Sequence, residues 1–288
     1  MSPFFVPKCL PRNFYVSAIP VILLVLAPIM SMAQQFPMQP DNCELNMPGR
    51  CAAVIARDQI GILKSPFHIK KRDLKWVLPF AAATVTSFGF DRKALDQIGT
   101  NPSQVNAFRT ASTFTGIYVP VAGVGASWLI GHFTHNDHLQ ETGLLAGEAL
   151  ADTAIITEMM KYATNRVRPG ATGLPLESAE FWPERMSYPA GDSFPSGHAA
   201  IAFAFAHVVA DEYPSLEVKL AAYSLAAATG LERLGGREHF PSDVLVGGTV
   251  GYLIGGYVYD HHSKASKSHL TVVPLVGGKT VGASLTLH

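Results

Sequence analysis

From Lys71 onward the chain alternates between long apolar runs and short polar breaks. Six runs stand out: "WVLPFAAATVTSFGF", "ASTFTGIYVPVAGVGASWLIGH", "LLAGEALADTAIITEMMKYA", "SGHAAIAFAFAHVVA", "KLAAYSLAAATGLERL" and "SDVLVGGTVGYLIGGYVY". Ala, Leu and Gly dominate them, and they are longer than ordinary strands, so the pattern predicts helices. The expected fold class is all-α, a bundle of five or six apolar helices over 71–265. Behind it, "HLTVVPLVGGKTVGASLTLH" carries two β-rich runs around Gly277-Gly278-Lys279. That pattern predicts a small C-terminal β-hairpin within 266–288, with about eight residues per arm. A frayed terminus is the alternative.

The same runs bear on lipid. Residues 111–132 have the length a membrane span needs, about 20 residues, and 243–259 fall slightly short. Glu148, Asp152 and Glu158 interrupt the third run, and lipid penalises them unless they face the bundle. Gly247, Gly251 and Gly255 form a small-xxx-small ladder that permits close helix contact. The balance leans to membrane association, with a soluble bundle as the alternative.

Upstream, residues 1–33 read as a signal peptide. Lys8 and Arg12 make a basic start, Val16 to Ile29 an apolar stretch, and Ser31-Met32-Ala33 a small-x-small cleavage site. An uncleaved N-terminal anchor is the alternative. Residues 34–70 are polar and weakly patterned, a leader or linker with one short helix near "AAVIARDQIGIL". Cys43 and Cys51 lie there. In an exported protein they can close a short disulfide loop, although two reduced thiols are also compatible with the sequence.

Composition narrows the classes. The 288 residues are 48% hydrophobic and 15% charged, with a formal net charge of zero, so nothing points to a nucleic-acid partner. The mean hydropathy of +0.19 lies between a soluble enzyme and a typical polytopic membrane protein.

Three clusters carry chemistry. In "KYATNRVRP", Lys161 and Arg168 are seven residues apart, which on a helix puts them about two turns apart on one face. Pro169 would then stop the helix. In "SFPSGHAA", Ser196 fits an N-cap, Gly197 lets a ligand approach the backbone, and the free amides of the helix start form an anion site beside His198. In "ERLGGREHFPSD", Pro241 suggests a helix start, with His239 at its mouth and Asp243 in its first turn. A carboxylate there can fix the imidazole tautomer and leave the other nitrogen as a nucleophile. Each cluster alone also fits a bland reading: a solvated basic helix end, a cap histidine, a loop histidine.

Together, K-x6-R-P, P-S-G-H and R-x5-H-x3-D resemble the tripartite signature of the type 2 phosphatidic acid phosphatase superfamily. That superfamily includes bacterial class A acid phosphatases and vanadium haloperoxidases. The resemblance covers about residues 140–260. It implies a helical bundle with the three clusters converging at one end. It further implies that Lys161, Arg168 and Arg233 hold phosphoryl oxygens, with Ser196 and the Gly197 backbone adding hydrogen bonds. His239 is then the nucleophile, Asp243 its orienting group and His198 the proton donor. Glu232 stands where the family has Ser, and a carboxylate there would weaken the positive field.

No cofactor is implied, except vanadate if the chain is a haloperoxidase. A metal reading of "GHFTHNDH", through His132, His135 and His138 beside Asp137, has no second cluster to complete it. Glu148 and Asp152 are read as internal salt-bridge partners. The expectation is an exported, metal-independent phosphatase of the periplasm or cell envelope. Its substrate is a phosphomonoester or pyrophosphate, either a phosphorylated lipid or a small phosphoester. Other readings are a soluble broad-range acid phosphatase, a haloperoxidase and a non-catalytic envelope protein.

Overall fold

The structure is a computed structural model. It describes Cys43, residues 48–68, 70–169, 179–183 and 191–263, and the backbone of 270–277 and 280–287. The signal-peptide segment 1–33 and most of 34–47 lie outside the described residues.

All six apolar runs are helical. They form α2 (Leu74–Asp96), α3 (Pro102–Thr113) with its continuation α4 (Val119–Thr134), α5 (Asp137–Thr164), α6 (Gly197–Glu212), α7 (Leu216–Gly235) and α8 (Pro241–His262). One π-helical turn, Phe114–Tyr118, joins α3 to α4, so the second run lies within a single rod of 33 residues, Pro102–Thr134. A further helix, α1 (Pro48–Lys64), precedes them. At the C-terminus, β1 (Leu270–Gly277) and β2 (Thr280–Leu287) pair antiparallel, from Leu270↔Leu287 to Gly277↔Thr280.

Helix α1 lies in the stretch read as a leader, and it is longer than the short helix expected there. It is tied to the bundle. Cys43 and Cys51 are joined by a disulfide. Asp58 meets His262 Nε2 at 2.9 Å, and Gln59 Nε2 donates to Asp152 Oδ1 at 2.6 Å. The Cys43 amide donates to Glu148 Oε1 at 3.0 Å. Glu148 and Asp152 thus receive α1 and the disulfide loop, where the sequence suggested salt bridges. Partners this distant in sequence leave no local periodic signal.

The core centres on α6, where Ala199, Ala200, Ala202, Ala204, Val208 and Ala210 are all buried. Small side chains there let α8 approach backbone to backbone. Gly247, Gly251 and Gly255 face Ser196, Ala200 and Ala204, one turn apart each time. At Gly251 even a methyl would collide with the Ala200 carbonyl. Gly251→Ala is therefore expected to destabilise by about 1–3 kcal/mol through overpacking. Gly125 in α4 has open space around it, so Gly125→Ala should be neutral or stabilising by up to about 1 kcal/mol. Thermal melts of the two variants check this, and equal effects would contradict the close-contact account.

Candidate active site

The three clusters come together where the C-terminus of α5, the N-terminus of α6 and the α7–α8 turn meet. Backbone bonds stitch them. The Ser193 amide donates to the Arg166 carbonyl at 2.9 Å, and the Ser196 amide donates to the Asp243 carbonyl at 2.9 Å.

Lys161 occupies the last turn of α5. Arg168 does not continue that helix. Asn165 takes the left-handed conformation, φ 44°, and ends α5 before Pro169 is reached. Asn tolerates that region because its short polar side chain bonds locally, and here Asn165 Oδ1 accepts the Gly191 amide at 3.0 Å. Residues beyond it run extended, with Arg166 bridged antiparallel to Phe181. The shared helical face expected for Lys161 and Arg168 is thus replaced by a helix end and an extended strand-like segment.

Ser196 holds the N-cap position of α6, but its side chain makes no capping bond. Its Oγ is buried without a hydrogen-bond partner among the described residues, and so is Arg233 Nε. Gly197 brings the helix start to Lys161: a Cβ placed there would lie 3.4 Å from Lys161 Nζ. At the third cluster, Pro241 is the first residue of α8 and the Phe240 amide donates to Asp243 Oδ2 at 2.8 Å. This is the carboxylate half of a capping box.

His239 is 1% exposed. Its Nδ1 lies 2.7 Å from the Ser193 carbonyl. A carbonyl only accepts, so Nδ1 carries the hydrogen and Nε2 keeps its lone pair. Asp243 Oδ2 is 3.7 Å from Nδ1, close enough for charge interaction but too far for a hydrogen bond. It accepts instead from Ser193 Oγ at 2.6 Å. The Nδ1 partner expected at Asp243 is therefore the Ser193 carbonyl, and Asp243 bonds the Ser193 hydroxyl instead. Sequence spacing could show that Asp243 lies one turn from His239, but not that Ser193 would come between their bonding groups.

Electrostatics favour neutral imidazoles. Burial, then Arg233 and Arg168, push His239 well below the ordinary histidine range. Burial and then Arg233 push His198 down to about 3, with His239, Arg168 and Lys161 adding to the effect. Burial lowers Arg233 to about 10. Burial raises Asp243 to about 6, against the pull of Arg166 and its hydrogen-bond donors.

The acids at the site were not foreseen. Arg168 binds Asp192 bidentately through Nε and Nη2, at 2.7 and 2.8 Å, and donates to Glu238 through Nη1. Arg233 Nη2 also reaches Glu238, at 3.3 Å, while its Nη1 donates to Ser112 Oγ at 3.1 Å. Glu232, the departure from the family pattern, accepts from Thr115 Oγ1 at 2.6 Å. The carboxylate shared by Arg168 and Arg233 is Glu238.

Beneath the site, Arg166 is 1% exposed. It donates to Asp243 Oδ1 at 2.5 Å, Ser242 Oγ at 2.7 Å and Asp91 Oδ2 at 2.6 Å. Its guanidinium also lies over Phe88, Phe181 and Phe240. "NRVRP" displays two arginines, and only Arg168 stands seven residues from Lys161, so the local spacing carries no signal for Arg166. Elsewhere, His138 pairs with Glu212 at 2.8 Å and His132 stacks on Trp128. His138 is at the other end of α5 from Lys161, about 35 Å away along the axis.

The PAP2 superfamily model matches residues 142–267, which include all three clusters. The region that holds the site is thus similar to the PAP2 superfamily. Among similar proteins is the lipid A 1-phosphatase of Porphyromonas gingivalis, 30% identical over 201 residues. That match takes in 67% of this chain but 40% of the relative, so the chain spans well under half of that protein's length. Two solved structures are similar. Aquifex aeolicus LpxE matches with a TM-score of 0.43 and 21% identity, over 60% of this chain and 94% of its own. The first transmembrane PAP2 type phosphatidylglycerolphosphate phosphatase from Bacillus subtilis matches with a TM-score of 0.45 and 19% identity, over 70% and 94%.

Proposed function

We propose that this chain is a phosphoric-ester hydrolase that removes a phosphate from a lipid through a phosphohistidine at His239. The observation that carries this is the state of His239: neutral, Nδ1 tied to a carbonyl, Nε2 free, among the charges of Arg233, Arg168 and Lys161. Phosphoryl transfer spreads negative charge over the equatorial oxygens, so positioning and fixed positive charge supply most of the catalysis. Three cations and the N-terminus of α6 provide that charge, and no step needs a metal.

In this mechanism Nε2 of His239 attacks phosphorus and the bond to the leaving oxygen breaks. His198 gives its proton to that oxygen. In the free protein His198 is neutral because of burial and then of Arg233, and the bound phosphoryl group offsets the cationic part of that effect. A phosphate monoanion therefore brings the proton that His198 passes on. Water then attacks the phosphohistidine, His198 takes its proton, and inorganic phosphate leaves. Ser196 Oγ, buried and without a partner among the described residues, serves as a donor to a phosphoryl oxygen.

A lipid substrate is supported by the rod Pro102–Thr134, the one described helix long and apolar enough to cross a membrane. Phe114, Tyr118, Leu129, Ile130 and Phe133 are exposed along it. It abuts the site, because Arg109 on α3 donates to the Gly236 carbonyl at 2.9 Å. The Cys43–Cys51 disulfide supports the reading of an exported protein in an oxidising compartment, the periplasm or envelope. The Porphyromonas relative, named for a lipid substrate, points the same way.

A phosphate-release screen over lipid phosphates and soluble phosphoesters tests the reading. Lipid phosphates should turn over fastest, vanadate should inhibit, and a chelator should leave the rate intact. Equal turnover of soluble esters would replace the lipid assignment with a broad-range phosphatase. Halide oxidation on adding vanadate would replace the phosphatase.

A further inference from the structure

Glu238 sits where an anion is wanted. Its Oε2 accepts from Arg168 Nη1 and Arg233 Nη2, and its Oε1 lies 2.7 Å from Arg109 Nε. One carboxylate oxygen between two guanidinium groups is the arrangement by which arginines grip a phosphate oxygen. Resting on the phosphatase reading above, we propose that Glu238 is a built-in competitor for the substrate's phosphoryl group. It occupies the Arg168–Arg233 seat in the free enzyme, and Arg109 retains it when the phosphoryl group displaces it.

The surroundings allow that exchange. The residues on either side of Glu238 are pinned. Arg237 donates from Nη1 to the carbonyls of Leu95 and Ile98, at 2.9 and 2.8 Å, and His239 is held by Ser193. The backbone therefore stays in place, and the exchange is a side-chain rotation, which is fast. Oε1 already rests on Arg109, whose side chain is 47% exposed and lies outside the three clusters. Rotation toward Arg109 frees Arg168 and Arg233 without stranding the carboxylate.

Removing the carboxylate has opposing consequences. It deletes a competing negative charge, which strengthens anion binding, and it deletes a brace on the arginines, which weakens it. The first effect dominates because each arginine keeps a second anchor. Arg168 keeps Asp192, Arg233 keeps Ser112 Oγ, and Arg109 keeps the Gly236 carbonyl.

The test uses orthovanadate binding by calorimetry to the whole protein in detergent, alongside KM and kcat for phosphate release. Glu238→Gln should tighten vanadate binding about tenfold and lower KM by a similar factor, with the change in KM exceeding that in kcat. Glu238→Ala should move both the same way. Arg109→Ala should weaken vanadate binding, and Arg109→Ala combined with Glu238→Gln should return to the Glu238→Gln value. Unchanged or weaker vanadate binding in Glu238→Gln would overturn the proposal. So would an Arg109→Ala loss that persists in the double variant, since Arg109 would then be touching the anion itself. Absence of phosphate release from wild type would count against the phosphatase reading alone, because the calorimetric comparison stands without turnover.

Discussion

His239→Ala is expected to lose phosphate release by at least about 10⁴-fold while still folding, with a melting temperature lowered by the loss of a buried, hydrogen-bonded side chain. Loss of a nucleophile that acts with partner groups removes nearly all of their joint contribution. The size follows from the geometry. Nε2 of His239 carries the lone pair of a ring held neutral by burial and then by Arg233 and Arg168, the cations proposed to hold the phosphate. His198→Ala should cost less, about 10²–10⁴-fold, the usual contribution of a general acid. Steady-state rates on one lipid phosphate, with denatured-protein controls, check both. Turnover surviving in His239→Ala would remove the phosphohistidine from the mechanism.

The largest expected effect on stability belongs to Arg166. Arg166→Met should destabilise by about 3–5 kcal/mol, because it leaves two buried carboxylates uncompensated. Asp91 and Asp243 are both fully buried, and Arg166 bonds each of them. A loss of that size lowers the melting temperature by on the order of 10 °C in a domain of this length. Adding Asp91→Asn to Arg166→Met should recover part of the loss, since one stranded charge is gone. A melt of Arg166→Met within a degree or two of wild type would show that the guanidinium does not hold these acids. Activity should fall with stability, because Asp243 braces Ser193, whose carbonyl aligns His239.

Arg166 also shows where local reading ends. Its acids lie 75 and 77 residues away along the chain. Arg168 and Glu238 are 70 apart. No window of periodicity or spacing contains such pairs. Asn165 is a different case. Its readiness to take left-handed backbone was visible in "TNR", but the seven-residue spacing of Lys161 and Arg168 suggested a longer helix. The chain turned out at Asn165 because Gly191 and Phe181 wait there to receive it.

By itself, the sequence determined what depends on neighbours within a few turns. The six apolar runs are helices, Pro241 opens the last of them, and the clusters around Lys161, Ser196 and His239 are set by residues close in the chain. The Gly247-Gly251-Gly255 ladder foretold a close helix contact, though not that its partner would be the helix led by Ser196. Only the tertiary structure decided which groups bond to which: Ser193 to His239, Arg166 to Asp91 and Asp243, Glu238 to three arginines. Hydrogen bonds and ion pairs depend on ångström-scale distance, and packing brings together groups whose separation in the chain says nothing about their separation in space.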